Sequence, residues 1–323
     1  MYVNNARERY EFRFTGVLGT LAKQDEVYER VARRAVTSSL EGYNSTVFAY
    51  GQTGSGKTFT LTGGPERYSD RGIIPRAISA TFAELGRRTS SQTAVHVSYM
   101  EIYNEKGYDL LDAGGMAQGG DAAAMMQPAV QDYDELPRVR FLEDEAGHFH
   151  FTNLSAHRAA SEEEALSLLF LGDTNRAIRE TPMNLASTRS HCIFSISLEA
   201  HTPGEDTVRR SKLNLVDLAG SERMKKTSLG GQGFTEATYI NGSLHFLEMV
   251  IVALQEKSMG HGDAANRYAF HLSLHALLFL FHSGDGDANT HTHTHNLSLF
   301  RPLHVAAGHS VRGKTVARMS RRR

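Results

Sequence analysis

The sequence predicts an α/β fold in which a central, mostly parallel twisted sheet carries helices on both faces. Segments with helical spacing alternate along the chain with strand-like runs, and helices between strands supply the long crossovers that parallel pairing requires. One run, KLNLVDLA (212–219), is almost wholly apolar, as expected for a strand that is covered on both faces.

Local patterns predict the individual elements. QDEVYERVARRAVTSSLEG (24–42) has helical spacing that ends at Gly42, and the helix at 161–178 opens with Ser161 as cap and acidic residues in its first turn. The aperiodic Gly/Ala/Met-rich stretch at 113–130 is predicted to be a surface insertion. Strands are predicted at residues 10–17, 47–50, 93–105, 138–144, 149–154, 192–200 and 212–219.

Composition excludes several classes of protein. The chain has 323 residues, 40% of them hydrophobic, and a net charge of −1, so no overall charge points to nucleic acid or membrane as a partner. A single cysteine, Cys192, excludes an internal disulfide framework and fits a reducing compartment. No apolar stretch approaches the ~20 residues needed to span a bilayer, and the charged N-terminus is no secretory signal. We expect a soluble intracellular protein.

The stretch VFAYGQTGSGKTFTLTGG (47–64) contains G-x-x-x-x-G-K-[ST] between a β-prone run and a potential helix. Glycines let such a loop turn its N–H groups inward, and the following helix adds its positive end, so the loop suits a polyphosphate. Lys57 is expected to reach the β- and γ-phosphates, and the Thr58 hydroxyl is expected to hold Mg²⁺.

Two further motifs fit the same site. NLASTRSH (184–191) is rich in hydroxyls and precedes a strand, while DLAGSER (217–223) stands at the carboxyl end of one, where ligands bind in open α/β sheets. Asp217 is expected in the Mg²⁺ shell, and Gly220 can donate its N–H to a γ-phosphate. Ser187 and Thr188 offer hydroxyls for the metal and the attacking water. Arg189 and Glu222 form an opposite-charge pair that could close the site.

Together, GQTGSGKT, NLASTRSH and DLAGSER resemble the P-loop, switch I and switch II of the kinesin motor domain. VSYMEIYNE and YINGSLHFLEMVIVAL (239–254), which resembles the long helix after switch II, agree with this. GGPERYSDRGIIP, LLFLGDTNR and ETPMNLASTRSHCIFSI more narrowly resemble the kinesin-nine class, which is associated with cilia and flagella. The resemblance covers residues 3–257 and implies a P-loop NTPase of the kinesin-motor fold.

The resemblance implies a role for each matching residue. ATP with Mg²⁺ would be bound by Asp217 and by the loop residues Gly51, Gln52, Thr53, Gly54, Ser55, Gly56, Lys57 and Thr58. Thr58 and Thr188 would hold the Mg²⁺ that is bound together with the nucleotide. Catalysis would involve Ser187, Thr188, Arg189, Gly220 and Glu222, with Arg189–Glu222 as the gate that closes before hydrolysis. Asn241 is expected to relay the switch state into the long helix.

The partner that the resemblance implies is the microtubule. The long helix would face tubulin, and Lys225 and Lys226 lie where the family's loop meets the microtubule, although two solvated lysines are an equal reading of the same residues. Nucleic acid and membrane are not expected as partners, and no oligomerisation segment is recognised in this chain. The expected location is the cytoplasm and cytoskeleton, with the cilium or flagellum as the narrower expectation.

Both ends depart from the family pattern. The chain begins near the family's second strand, without an adenine clamp, and the match stops after residue 257. We therefore expect a partial motor domain at 1–257 that lacks the first and last central strands, which makes the P-loop strand a sheet edge. Residues 258–323, with THTHTHN and ARMSRRR, are predicted to be an unrelated low-complexity, basic tail, disordered or misfolded. Our hypothesis is a read-through or mispredicted coding sequence, which a continuous spliced message for this tail would contradict.

Several alternatives remain open at the level of sequence. The chain could be a nucleotide- or microtubule-binding remnant without motility, or a mispredicted gene product. A small GTPase-like switch shares the D-x-x-G pattern but would carry an N-K-x-D segment that is missing here. His291, His293 and His295 alternate with threonines and could bind a metal, but acidic or cysteine partners at ligand spacing are missing.

Overall fold

A computed structural model gives the fold of the chain at residues 14–64, 66–88, 92–112, 138–143, 149–179, 189–203, 207–222, 240, 242–245, 247–249 and 251. Its strands are β1 (Ser45–Ala49), β2 (Gln92–Tyr103), β3 (Lys106–Asp109), β4 (Arg138–Glu143), β5 (Phe149–Thr152), β6 (His157–Ala159), β7 (His191–His201) and β8 (Val208–Asp217). Its helices are α1 (Gln24–Val31), α2 (Arg33–Leu40), α3 (Lys57–Leu61), α4 (Ile73–Leu85) and α5 (Glu162–Arg179). The residues at 240–251 that the structure describes are helical as well, and we call them the post-β8 helix. Among the described helices, none combines the length and apolar composition needed to cross a bilayer.

The strands form one mixed sheet in the order β1-β8-β7-β2-β3-β4-β5, with β6 paired to β2 beside this path. The α/β layering agrees with the sequence prediction, but the prediction of a mostly parallel sheet is wrong for the described strands. The β1–β8 pair is parallel, whereas the other described pairs are antiparallel. β1 ends the strand order in the part of the chain that the structure describes, as the sequence led us to expect.

Connection length explains two of the antiparallel pairs, β2–β3 and β7–β8. A parallel pair needs a crossover of about a dozen residues or more, whereas an antiparallel pair can be joined by a short turn. β7 and β8 are joined by residues 202–207 alone, and β2 and β3 by Asn104 and Glu105, both with positive φ (50° and 61°). Such a two-residue turn is typical of a hairpin, so the single strand predicted at 93–105 turns back at its last two residues.

Two other predicted elements are changed at their boundaries. Of the strand predicted at 10–17, residues 14–17 are not part of the sheet, because an alternating pattern yields a strand only where a neighbour pairs with it; residues 10–13 lie outside the described residues. The helix predicted at 24–42 is divided at Ala32 into α1 and α2. It ends as expected, since Gly42 adopts φ 101° and Tyr43 N–H donates to the Ser38 carbonyl (3.0 Å), closing the terminus. The predicted insertion at 113–130 lies outside the described residues.

The period-two alternation of the strands divides the core between the two faces of the sheet. On one face, Val47, Phe194 and Leu215 pack with α1, α2, α4 and α5. On the other face, Ile193 and Val216 pack against the post-β8 helix. Helices therefore cover both faces of the sheet, as predicted.

Helix α5 is capped at its start and is held against the sheet further along. At its start, the Ser161 hydroxyl accepts a hydrogen bond from Glu164 N–H (3.2 Å), while the Glu164 carboxylate accepts one from Ala160 N–H (2.7 Å), an arrangement like a capping box. Further along, Tyr99 of β2 donates its hydroxyl to Asp173 (2.8 Å). A Cβ added at the neighbouring Gly172 would lie 2.2 Å from Cδ1 of the Tyr99 ring, so this helix can approach the sheet only with glycine at 172.

Gly172→Ala should therefore destabilise the fold by about 1–3 kcal/mol, because overpacking at the Tyr99 ring outweighs alanine's gain of roughly 1 kcal/mol in helix propensity. Gly242 is the matched control: it is helical, and a Cβ there would meet nothing within 4 Å among the described residues. Gly242→Ala should leave stability unchanged or raise it by up to about 1 kcal/mol. Urea denaturation of both variants checks this, and equal midpoints would contradict the packing argument.

Candidate functional site

Strand register brings the three sequence motifs to one edge of the sheet, the edge formed by the carboxyl ends of β1 and β8. Ala49, the last residue of β1, is the parallel partner of Asp217, the last residue of β8. Asp217 also pairs with Cys192 near the start of antiparallel β7. The loop after β1, the chain entering β7 and the chain leaving β8 consequently meet at this edge.

The loop after β1 depends on glycine at two positions. Gly54 (φ 77°) and Gly56 (φ 89°) lie in the left-handed region, which side chains with a Cβ rarely adopt. Gly56 immediately precedes α3, and its carbonyl accepts the N–H of Thr60 (2.8 Å). The predicted strand–loop–helix arrangement is thus present, and α3 begins directly after the last glycine of the loop.

Lys57 lies folded over its own loop. Its ammonium group donates to the carbonyls of Gly51 (3.0 Å) and Gln52 (3.1 Å). Burial lowers the pKa of Lys57, against the opposing attraction of Asp217 and Glu222. The loop thus holds a partly desolvated cation at the position where the motif predicts phosphate contact.

Asp217 and Thr58 together fit a magnesium ion. The Thr58 hydroxyl donates to Oδ2 of Asp217 (2.6 Å), while Oδ1 of Asp217 is buried and has no hydrogen-bond partner among the described residues. A buried carboxylate oxygen normally has a partner, and hydroxyl and carboxylate oxygens are the ligand types that Mg²⁺ prefers. These residues therefore fit the metal that the motif implies. Elsewhere in the described chain, no group of three His, Cys, Asp or Glu side chains could hold a metal; the tail histidines lie outside the described residues.

Arg176 of α5 forms a buried ion pair with Asp217, a contact that sequence analysis missed. Its guanidinium lies 3.6 Å from Oδ2 of Asp217, and both side chains are almost fully buried (7% and 6% exposed). Burial acts to lower the pKa of Arg176, but the surrounding acidic groups, including Asp217 and Glu101, raise it overall. Arg176 is therefore a permanent buried cation. Its signal in the sequence is slight: one arginine in an amphipathic helix.

The chain after β8 is tied to the loop. Ser221 N–H donates to the Gly51 carbonyl (3.1 Å), and a Cβ at Gly220 would lie 2.4 Å from the Thr53 hydroxyl oxygen. The Glu222 carboxylate accepts hydrogen bonds from Thr53 N–H (2.8 Å) and from the Thr53 hydroxyl. Partial burial acts to raise the pKa of Glu222, but the bonds from Thr53 outweigh it and hold the pKa below its usual value. Switch II thus lies directly against the P-loop.

The remaining predicted residues are described only in part. Arg189 lies two residues before β7 at the same edge of the sheet, and its pairing with Glu222 stays a prediction. Ser187, Thr188, Lys225, Lys226 and Asn241 lie outside the described residues.

His191, the first residue of β7, is a second residue whose contacts sequence analysis missed. Its Nδ1 accepts the N–H of Ala219 (3.1 Å), and its Nε2 lies 2.8 Å from the Ser243 hydroxyl on the post-β8 helix. The motif NLASTRSH includes this histidine, but spacing alone gives no partner for it. The structure places it between switch II and the following helix.

Comparison with solved kinesins supports this architecture. One solved structure, titled "Structure of a fast kinesin: Implications for ATPase mechanism and interactions with microtubules", aligns with a TM-score of 0.62 and 33% identity over 77% of this chain and 64% of its own. A second, titled "kinesin 6", aligns with a TM-score of 0.61 and 28% identity over 77% of this chain and 75% of its own. The kinesin-motor fold predicted from sequence is confirmed.

Comparison with curated sequences supports the narrower resemblance. Kinesin-like protein KIF9 of Mus musculus and that of Homo sapiens are each 46% identical over 261 residues, 80% of this chain and 31% of theirs. Kinesin-like protein KLP1 of Chlamydomonas reinhardtii is 44% identical over 257 residues, 79% of this chain and 31% of its own. The chain thus spans about a third of the length of these relatives. A family model described as the kinesin motor domain matches residues 2–268, and the chain belongs to this family, with a kinesin-nine-like sequence.

Proposed function

We propose that this chain binds ATP with Mg²⁺ at the loop after β1, hydrolyses it, and acts as the motor domain of a microtubule-based motor. The contact between Thr58 and Asp217 carries the proposal, because it leaves one buried oxygen of Asp217 without a partner among the described residues. A metal-bound nucleotide would supply that partner. ATP rather than GTP is proposed because the chain lacks the guanine-selecting N-K-x-D segment.

Each group of the site has a role in this proposal. Bound Mg²⁺ would neutralise charge on the phosphates and orient them. Lys57 would exchange its two loop carbonyls for phosphate oxygens, which as anions are stronger acceptors. Gly220 would present its N–H to the terminal phosphate. Glycine suits this position because a side chain there would collide with Thr53. Arg176 would hold Asp217 in place and limit its movement when the metal enters.

The proposal extends to Glu222, whose present partners lie in the P-loop. The Glu222 carboxylate accepts two hydrogen bonds from Thr53, so it lies against the loop that would hold the phosphates. On nucleotide binding, Glu222 would exchange these bonds for Arg189, closing the site for hydrolysis with Ser187 and Thr188. Microtubule contact through Lys225, Lys226 and the post-β8 helix, and a cytoskeletal location in a cilium or flagellum, complete the proposal and rest on the kinesin-nine resemblance.

The purified 323-residue chain should hydrolyse ATP faster when microtubules are added, and Lys57→Ala should abolish nucleotide binding. The phosphates lose their charged side-chain contact in this variant, so affinity should fall by about a hundredfold or more. A fluorescent ATP analogue measures binding, and phosphate release with and without microtubules measures turnover. Lys23→Ala, before α1 and outside the loop, is the control. Unchanged affinity in Lys57→Ala would refute the loop assignment, and turnover that ignores microtubules would refute the motor assignment.

Glu222→Ala should bind ATP but turn it over at least about tenfold more slowly, because the group that closes the site contributes only when the site is assembled for hydrolysis. Glu199 is a matched control, since this partly exposed glutamate on β7 pairs with Arg210 (3.1 Å) far from the loop. Glu199→Ala should keep the parental rate. Binding affinity and single-turnover hydrolysis are measured for both variants; parental turnover in Glu222→Ala would remove Glu222 from the mechanism.

A further inference from the structure

A line of hydrogen bonds runs from switch II to the post-β8 helix through His191. Ala219, the residue before Gly220, donates its N–H to Nδ1 of His191 (3.1 Å). Nε2 of the same ring lies 2.8 Å from the Ser243 hydroxyl, and that hydroxyl donates to the Ile240 carbonyl (2.9 Å). Three separate segments of the chain are joined by this line.

The neutral form of His191 determines which groups donate and which accept along this line of hydrogen bonds. The ring is almost fully buried (4% exposed), and burial, with a smaller effect from nearby Lys57, lowers the pKa of His191 to about 4. The imidazole is therefore neutral at neutral pH, with one accepting and one donating nitrogen. Because Nδ1 accepts from Ala219, Nε2 carries the proton and donates it to Ser243. Every polar group in the line is then satisfied in one arrangement.

The post-β8 helix is packed against the sheet by apolar side chains, separately from this line of hydrogen bonds. Leu247 (2% exposed) and Leu244 (9% exposed) bury the helix in the apolar cluster that includes Ile193 and Leu218. This apolar contact is non-directional. It holds the helix against the sheet, but its energy changes little when a single peptide group moves slightly. The hydrogen bonds are directional and respond to such shifts.

We propose that His191 and Ser243 are positioning residues that couple the Ala219–Gly220 peptide to the post-β8 helix. The proposal rests on the proposed function in one respect, namely that nucleotide binding moves the Gly220 peptide. Among the described residues, the hydrogen bonds of both side chains go to Ala219, to Ile240 and to each other. When the Ala219 N–H shifts, the neutral ring follows its donor, and the Ser243 hydroxyl follows the ring. A movement at the nucleotide site thus reaches the first turn of the described helix.

Ser243→Ala tests this coupling, because it removes the acceptor of His191 while leaving the apolar packing intact. Ser243→Thr keeps the hydroxyl and is the rescue variant. Ser167→Ala is the matched control: Ser167 on α5 also donates to a carbonyl of its own helix (Glu163, 2.8 Å), and it is exposed. Hydrogen–deuterium exchange of the full chain is followed in peptides covering 217–222 and 240–251, with and without a non-hydrolysable ATP analogue and Mg²⁺.

Without nucleotide, Ser243→Ala should exchange about fivefold faster than the parent in both peptides, the effect expected for losing one hydrogen bond. With the analogue, the response at 217–222 should persist while the response at 240–251 falls by about the same factor. Ser243→Thr and Ser167→Ala should behave as the parent does.

The outcomes separate this inference from the proposed function. If Ser243→Ala exchanges like the parent without nucleotide, or if its 240–251 peptide answers the analogue as fully as the parent's, the coupling is overturned. If the analogue changes no peptide even in the parent, the proposed nucleotide binding fails, and the comparison without nucleotide still decides the link. Faster exchange in Ser243→Ala that Ser243→Thr does not restore would show a general loss of packing and would also overturn the coupling.

Discussion

The parallel pairing of β1 with β8 is the constraint on which the site depends. Because Ala49 lies opposite Asp217, the P-loop and switch II leave the sheet side by side. A shift of register by one residue would move every side chain of a strand to the other face, and Val47 and Leu215 would then leave the core that α1, α2, α4 and α5 cover. The apolar core thus fixes the register, and the register fixes the distance between Thr58 and Asp217.

The buried pair of Arg176 and Asp217 is the electrostatic counterpart of this constraint. Removing two charges from water is costly, and their attraction compensates only if both stay in place. Their separation of 3.6 Å is longer than a good hydrogen bond, so the arginine neutralises the aspartate without using up its acceptor capacity. Thr58 takes one oxygen, and the other has no partner among the described residues. In the proposed function this oxygen would face the metal ion, while Arg176 balances the charge of Asp217 when the metal is absent.

Sequence analysis predicted the loop, the acid at the end of β8 and the two-sided α/β layering, because each follows from a short local pattern. The G-x-x-x-x-G-K-[ST] motif specifies its own backbone, with positive φ at Gly54 and Gly56. Strand direction was predicted wrongly, because it depends on how the chain returns, and the turn at Asn104 and Glu105 lies within one apparently continuous strand pattern. The partners of Arg176 and His191 are distant in sequence, so no spacing rule could have found them.

The antiparallel pairing of β7 and β8 has a mechanical consequence. Switch I leads into the first residue of β7 and switch II follows the last residue of β8, while residues 202–207 join the strands at the opposite end. The two switches are therefore the tips of one two-pronged fork, whose prongs are paired residue by residue from Cys192–Asp217 to His201–Val208. Neither prong can slide along the other without breaking this ladder. The ladder therefore fixes where each switch joins the sheet, at His191 and at Asp217, and both junctions lie on the same pair of strands.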